Sequence, residues 1–285
     1  MRSGLASRTA LGAATHRAVH QVLERGYIFA DPLAVRILGA DAEALVRDAE
    51  NDPSRRRLRL FIAVRTRFAE DALTAAVARG VRQLVVLGAG LDTYAYRTAL
   101  GERLRVFEVD HPATQAWKRH KLAEAAIPVP RMLTFAPIDL ERETLADGLA
   151  AAGFDTTQQT FFTWLGVVPY LTEQAVFATL GSIAGLPGAA HVVFDYRNPP
   201  ASGQDRNAYD DAYDAGREAL AVRVASVGEP FRSQFEADTL HAKLTALGFR
   251  EVEDLGPALI RERYFANRGD SSRDRGGHIV RATTV

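Results

Sequence analysis

The longest amphipathic pattern in the chain runs over residues 53–79. Leu58, Phe61, Ile62, Phe68, Ala69, Ala72, Leu73 and Ala76 recur at helical spacing on one face. Asp52-Pro53 supplies the start of this helix and Gly80 its stop. Then the period changes. "QLVVLG" is a short, continuous, β-branched run closed by glycine, the pattern of a strand buried on both faces. Comparable runs follow at 104–110 (LRVFEVD), 132–140 (MLTFAPIDL), 160–167 (TFFTWLGV) and 191–196 (HVVFDY). Helix-like segments at 112–125, 141–151 and 172–184 separate them, the last capped by Thr172. The alternation predicts an α/β fold: a Rossmann-like, doubly wound sheet of right-handed βαβ units.

Residues 1–52 read as an alanine-rich helical cap, in which "DPLAVRILG" predicts a helix capped by Asp31, opened by Pro32 and ended by Gly39. Residues 197–235 break the rhythm with a Pro/Gly-rich start and a polar amphipathic helix. Such an excursion is a natural lid at the carboxyl edge of a sheet, and equally a structural insertion. Beyond it the pattern returns. "FEADTLHAKLTALGF" predicts a helix ending at Gly248, "FREVEDL" a strand, "GPALIRERYF" a short helix and "HIVRATTV" a last strand. A polar connection lies at 266–277. With no repeat and no compositional break, a single domain over residues 1–285 is expected, with a core over 53–196 and the sheet completed by 236–285.

Composition narrows the function. Thirty-five Lys+Arg balance 35 Asp+Glu, which argues against a general nucleic-acid or anionic-membrane binder. The absence of cysteine excludes disulfides, thiolate nucleophiles and cysteine-ligated metals. The N-terminal residues lack the apolar core of a signal peptide, and no run reaches membrane-spanning length, so a cytoplasmic protein is expected.

Candidate chemistry gathers after the first strand. Gly88 and Gly90 stand where a ligand approaches the carboxyl end of a parallel sheet, although a tight turn needs the same glycines. Glu108 and Asp110 lie on one side of the next strand, about 20 residues on, the place from which a carboxylate accepts both hydroxyl protons of a ribose. As Asp110 precedes His111-Pro112, a helix cap is the competing role for it. A dinucleotide fingerprint wants a small third residue, but Thr93 stands there and Asp92 precedes it. The pattern leans toward S-adenosyl-L-methionine, which carries an ammonium and a sulfonium, over NAD. Arg65 falls on the apolar stripe of the 53–79 helix and needs an anion. An internal carboxylate, a snorkelling stem and the carboxylate of an amino-acid cofactor all meet that need.

These stretches together resemble the leucine carboxyl methyltransferase family and its bacterial branch, which includes polyketide carboxyl O-methyltransferases. The likeness is carried by "AVRTRFAEDAL", "VVLGAGLDTYAYR", "FEVDHPATQAWKRHKL", "PIDL" and "WLGVVPYLTEQAVFATL", with "TALGAATHRAVH" and "FADPLAVRILG" upstream. It runs from about residue 9 to residue 196, with a weaker tail in "LTALGFREVEDLG". The resemblance implies a class I methyltransferase-like fold and S-adenosyl-L-methionine as cofactor. It implies that Arg65 holds the cofactor carboxylate, Gly88 and Gly90 make room for its methionine part, and Asp110 binds the ribose. Asp139 and Leu140 would frame the adenine, although the strand end also suits Asp139 as a helix cap. Leu165 stands where the family has a glutamate, which turns the expectation from a protein-tail substrate to a small-molecule methyl acceptor.

A carboxylate nucleophile is already ionised at neutral pH and needs no base, which agrees with the lack of a catalytic dyad; a hydroxyl would benefit from one. His111 reads as a helix-start residue. His16 and His20, at i,i+4, read as a solvated helix face with no metal. "SRRRLR" at 54–59 reads as an exposed helix start. Tyr170, Tyr196, Tyr209 and Tyr213 are candidates to line an acceptor pocket. The rival readings are an NAD(P)-dependent oxidoreductase and a non-catalytic cofactor-binding protein.

Overall fold

The computed structural model describes residues 7–139, 142–199, 208–226, 228–265 and 276–285. In chain order the elements are α1 (Arg8–Leu23), α2 (Ala42–Asn51), α3 (Arg56–Ala78), β1 (Gln83–Leu87), α4 (Tyr94–Arg97) and β2 (Arg105–Asp110). There follow α5 (Pro112–Glu124), β3 (Leu133–Pro137), α6 (Leu145–Ala151), β4 (Thr160–Trp164), α7 (Glu173–Ala184) and β5 (Ala190–Arg197). The remainder are α8 (Ala208–Ser226), α9 (Ala237–Ala246), β6 (Glu251–Leu255), α10 (Pro257–Phe265) and β7 (Gly277–Thr283).

The seven strands form one sheet in the order β3-β2-β1-β4-β5-β7-β6. Only β7 runs against the rest: it pairs antiparallel with both β5 and β6. The chain builds outward from β1 through β2 to β3, then returns to the other side of β1 as β4. That reversal makes a topological switch point, outside which ligands of open α/β sheets bind. The continuous apolar runs are explained by burial on both faces. Leu84, Val86, Val106 and Phe161 pack with α3 and α10 on one side. Val85, Phe107, Phe162 and Val192 pack with α6, α7 and α9 on the other. A third, smaller core joins α1 and the residues 34–42 to Leu91 and to Leu122 of α5.

Thr172 caps α7 as the sequence predicts, its hydroxyl accepting from the Ala175 N–H. "DPLAVRILG" does not form the expected α-helix. Asp31 accepts from the Leu33 N–H, but turns lead only into a 3-10 segment, Arg36–Asp41, where Gly39 has φ +66. The reason is that the Asp31 carboxylate is drawn into a buried network instead of ending a helix. Thr93 donates to it at 2.7 Å, and Arg17 lies 3.4 Å away.

A second buried network stands between β5, β6 and β7. The Asp254 carboxylate accepts from the Tyr196 hydroxyl at 2.7 Å and from His278 and His241 at 2.8 Å each. Burial pushes this carboxyl up, but the hydrogen bonds and charge of His278, with Tyr196 and His241 behind them, bring it below its ordinary value. A depressed carboxyl stabilises the fold above its unfolded titration point and loses that contribution as pH falls through the folded one. The expected result is a melting temperature that drops more steeply below about pH 4 in the wild type than in Asp254→Asn. Parallel slopes in thermal scans from pH 6 to pH 3 would count against this role. Tyr196 is therefore a core residue, not a pocket-lining one. The side chains of Tyr209 and Tyr213 lie outside the described residues.

Candidate active site

Five strand ends meet at the carboxyl edge around the switch point. β1 stops at Leu87, and the chain turns through Gly88 (φ +66) and Gly90 (φ +44), a backbone that side-chain-bearing residues rarely adopt. Space is the second constraint. A Cβ on Gly88 would overlap Val167 Cγ2, and one on Gly90 would stand 2.9 Å from the Ala10 Cβ of α1. The glycine turn is thus wedged between the first helix and the loop after β4. Gly88→Ala combines steric overlap with an unfavourable φ, and a loss of about 2–3 kcal/mol is expected in urea unfolding. In a Val167→Ala background the steric part should disappear and roughly 1 kcal/mol remain. An equal loss in both backgrounds would locate the cost in the backbone alone.

Asp110, the last residue of β2, closes over this turn. Its Oδ2 accepts from the Gly90 N–H at 2.5 Å and its Oδ1 from the His111 N–H at 2.7 Å. Burial raises its carboxyl above the ordinary value, while these two N–H groups and Lys118 oppose the rise. Each carboxylate oxygen carries two lone pairs, so one on each remains after these bonds. Asp110 is not the cap of α5. That place belongs to His111, whose Nδ1 accepts from the Ala113 N–H.

Glu108 has a different task from the one its spacing suggests. It is 1% exposed, with Lys118 Nζ 2.7 Å from its carboxylate and the Tyr96 hydroxyl donating at 3.2 Å. Burial raises its carboxyl to about 7 despite Lys118. It braces β2 against α5 through Oε2, while its Oε1 is buried without a hydrogen-bond partner among the described residues. Lys118 was legible only as one more basic residue in a polar helix.

Asp139 follows β3 with its carboxylate 3.5 Å from Arg142 Nε, and its own N–H donates to Glu143. It does not cap α6, which starts with the Thr144 side chain. Leu140 lies outside the described residues. After β4 come Leu165, which packs at the edge of the α3-side core, and Gly166.

Arg65 reaches the same edge from α3, 8% exposed. Its Nη1 donates to Asp195 of β5 at 2.8 Å, and the other Asp195 oxygen accepts from the Gly166 N–H at 2.5 Å. The plane of the guanidinium lies against Gly166, where a Cβ would come within 2.6 Å of Nη2. Among the described residues, Arg65 Nε is buried without a hydrogen-bond partner. So the internal carboxylate partner exists, yet it satisfies only one edge of the guanidinium. Asp195 escaped the sequence reading. The signal was an acid inside the apolar run "HVVFDY", which needs a buried cation as Arg65 needs an anion.

Above the strand ends, Tyr170 stacks on Phe231 with ring centroids 5.1 Å apart, and Arg197 lies over that ring. Burial raises the Tyr170 hydroxyl to about 12, with Asp195 pushing upward and Arg65 downward. The histidines of α1 do not form a solvated face. His20 is fully buried beside Glu24 and the Tyr27 ring, and His16 is half-buried. Among the described residues no group of acids and histidines could hold a metal. "SRRRLR" is exposed at its start, but Arg59 is buried and holds Glu24 through two hydrogen bonds.

The N-terminus of α1 is pinned across the opening. Ser7 caps it, the Ser7 N–H donates to Thr114 of α5, and the Thr9 N–H donates to Glu229 at 3.0 Å. Thr93, the residue that departs from the dinucleotide fingerprint, is 1% exposed and committed to Asp31 and Arg97. Its hydroxyl ties the N-terminal segment to the glycine turn. No helix among the described residues is long and apolar enough to cross a membrane.

Comparison with known proteins identifies relatives of this chain. Two relatives are each named "Putative S-adenosyl-L-methionine-dependent methyltransferase". One, YktD of Bacillus subtilis strain 168, is 30% identical over 95% of both chains. The other, SCO7813 of Streptomyces coelicolor, is 40% identical over 61% of this chain and 63% of its own. A solved duf574 family protein from Streptomyces avermitilis superposes with a TM-score of 0.48 at 17% identity, covering 95% of this chain and 97% of its own. The sequence model "Leucine carboxyl methyltransferase" matches residues 10–184. On the strength of that match, the chain belongs to the leucine carboxyl methyltransferase family.

Proposed function

We propose that this S-adenosyl-L-methionine-dependent methyltransferase transfers its methyl group to an oxygen, a carboxylate or a hydroxyl, of a small molecule. The observation that carries the cofactor's place is Asp110. Its carboxylate is fixed by two backbone N–H groups at the end of β2, keeps a lone pair on each oxygen, and stands over the glycine turn. That donor set suits the vicinal hydroxyls of a ribose. The unused, buried Nε edge of Arg65 suits the carboxylate of an amino-acid tail. By resemblance to the family, Gly88 and Gly90 would make room for that tail, although here Val167 and Ala10 pack over them. By resemblance to the family, Asp139, which follows β3, would accept from the adenine amine and Leu140 would lie beside the ring.

When bound, the cofactor supplies an electrophilic methyl group on a sulfonium, displaced in line as its carbon–sulfur electron pair returns to sulfur. What the chain contributes is alignment and exclusion of water. Asp110 and Arg65 would hold the ribose and the carboxylate of the cofactor, and the first turn of α1 is held near them by Glu229. Leu165 puts an apolar side chain where the family carries a glutamate, so no carboxylate from this position repels an anionic acceptor. The test is calorimetric titration with S-adenosyl-L-methionine, S-adenosylhomocysteine and NAD in parallel, followed by a screen of carboxylate and phenol acceptors. Binding of the first two, with methyl ester or ether formed in the screen, is the expected result. Binding of NAD alone would overturn it.

A further inference from the structure

Asp92 comes directly after the glycine turn. Its N–H donates to the Ala89 carbonyl at 2.7 Å, and its Oδ1 accepts from the Tyr94 N–H at 2.8 Å. Among the described residues, no hydrogen bond or ion pair engages its Oδ2. The side chain is half-buried and lines a cleft between α3, β1 and β4, together with Thr66, Glu70, Val86 and Leu165. A carboxylate taken partly out of water needs a cation, as the buried edge of Arg65 needs an anion.

The other acid of the cleft is spent. Both Glu70 oxygens accept from Arg97, which also reaches Thr93 and Asp31. The Thr66 hydroxyl donates to the Ile62 carbonyl, and Leu165 and Val86 bring no charge. Asp92 Oδ2 is the carboxylate oxygen that remains. Arg65 borders the same cleft through its neighbours: Thr66 follows it in α3, and its guanidinium lies against Gly166, which follows Leu165. An unspent anion and an unspent cation thus stand at the carboxyl edge of β1 and β4. In an α-amino acid the ammonium and the carboxylate share one carbon, so a tail whose carboxylate meets Arg65 carries its ammonium close by. The sulfonium lies farther along, toward the ribose.

We propose that Asp92 receives the ammonium of the cofactor's amino-acid tail, so that Asp92 and Arg65 clamp that tail as a zwitterion. This rests on the methyltransferase reading and assigns the charge of the tail that Arg65 leaves unmatched. The ammonium and carboxylate are the same before and after methyl transfer, so the clamp fixes the tail, and with it the sulfur, throughout the reaction. The same carboxylate repels a pyrophosphate at this turn, which sets the turn apart from a dinucleotide site.

The measurement is calorimetric titration of the full chain and of Asp92→Asn with two probes. One is S-adenosylhomocysteine; the other is 5′-S-(3-carboxypropyl)-5′-thioadenosine, which keeps the carboxylate and lacks the amino group. The wild type should prefer S-adenosylhomocysteine by roughly 10-fold or more. Asp92→Asn should abolish that preference, weakening S-adenosylhomocysteine by about 10-fold or more and the deaminated probe by no more than about threefold. The amide still accepts from the Tyr94 N–H, and Asp92→Ser repeats the test with a second side chain able to form that turn. Equal weakening of both probes confines Asp92 to the turn and overturns the proposal, as does a wild type that does not distinguish them. Either result leaves the methyltransferase reading standing. Failure of both probes to bind the wild type overturns that reading, and the proposal with it.

Discussion

Asp110→Asn should weaken S-adenosylhomocysteine binding by about 100-fold or more while leaving the chain folded. The substitution keeps the shape of the side chain and removes its charge. In the native arrangement both oxygens already accept a backbone N–H, from Gly90 and His111. An amide can accept only on one side, so its NH₂ group faces one of those donors. It also retains a single acceptor for two ribose hydroxyls. Each hydrogen bond to a charged partner contributes about 1.5–3 kcal/mol and a neutral one about 1 kcal/mol, and every 1.4 kcal/mol is tenfold in affinity, so losing one ribose bond and weakening the other gives roughly 10²–10³. Calorimetry on both proteins, with thermal melting as a control for folding, measures this. An affinity within about threefold of wild type would remove Asp110 from the cofactor site.

The largest stability effect is expected at Arg65→Met. Asp195 is 4% exposed and would keep only the Gly166 N–H. Removing one member of a buried ion pair costs about 3–5 kcal/mol, because the remaining charge is left without compensation. Arg65→Met/Asp195→Asn removes that stranded charge and should recover most of the loss in urea unfolding. It should not recover S-adenosylhomocysteine binding, because the cation proposed to receive the cofactor carboxylate is absent. The pair of variants separates structure from ligand. A double variant that binds normally would place the cofactor carboxylate elsewhere, and a single variant as stable as wild type would mean that Asp195 is neutralised by another group.

What the sequence made legible follows physical range. Strands β1 to β5 were readable because strands buried on both faces leave uninterrupted apolar runs, and the residues after them mark the carboxyl edge. Gly88, Gly90, Asp110 and Arg65 stood out as candidates because each violates a local expectation: glycines at a strand end, an acid closing a strand, a cation on an apolar stripe. Asp195 and Lys118 could not be assigned, since their meaning lies in a partner that only the fold brings near: Arg65 is 130 residues from Asp195. The same holds for Glu108, whose spacing matched a ribose acid while Lys118, which the spacing could not show, stands 2.7 Å from its carboxylate. His16 looked solvated because i,i+4 spacing defines a face but not what that face meets. The 3-10 turn at Arg36–Asp41 failed for a related reason, as Asp31 had a tertiary partner stronger than its helix.

The clasp between Thr9 and Glu229 also bears on the order in which the molecule assembles. Its two ends are 220 residues apart in sequence. Strands β1 to β5 can pair as soon as residue 197 has left the ribosome, and the glycine turn with Asp110 forms among neighbours close in the chain. The roof cannot. Until Glu229 has been synthesised, the first turn of α1 has no anchor over the opening, and a contact of that separation forms late. Nascent chains stalled after β5 should therefore pair their core strands before they retain a nucleoside. Ligand retention would then report completion of the fold, not its onset.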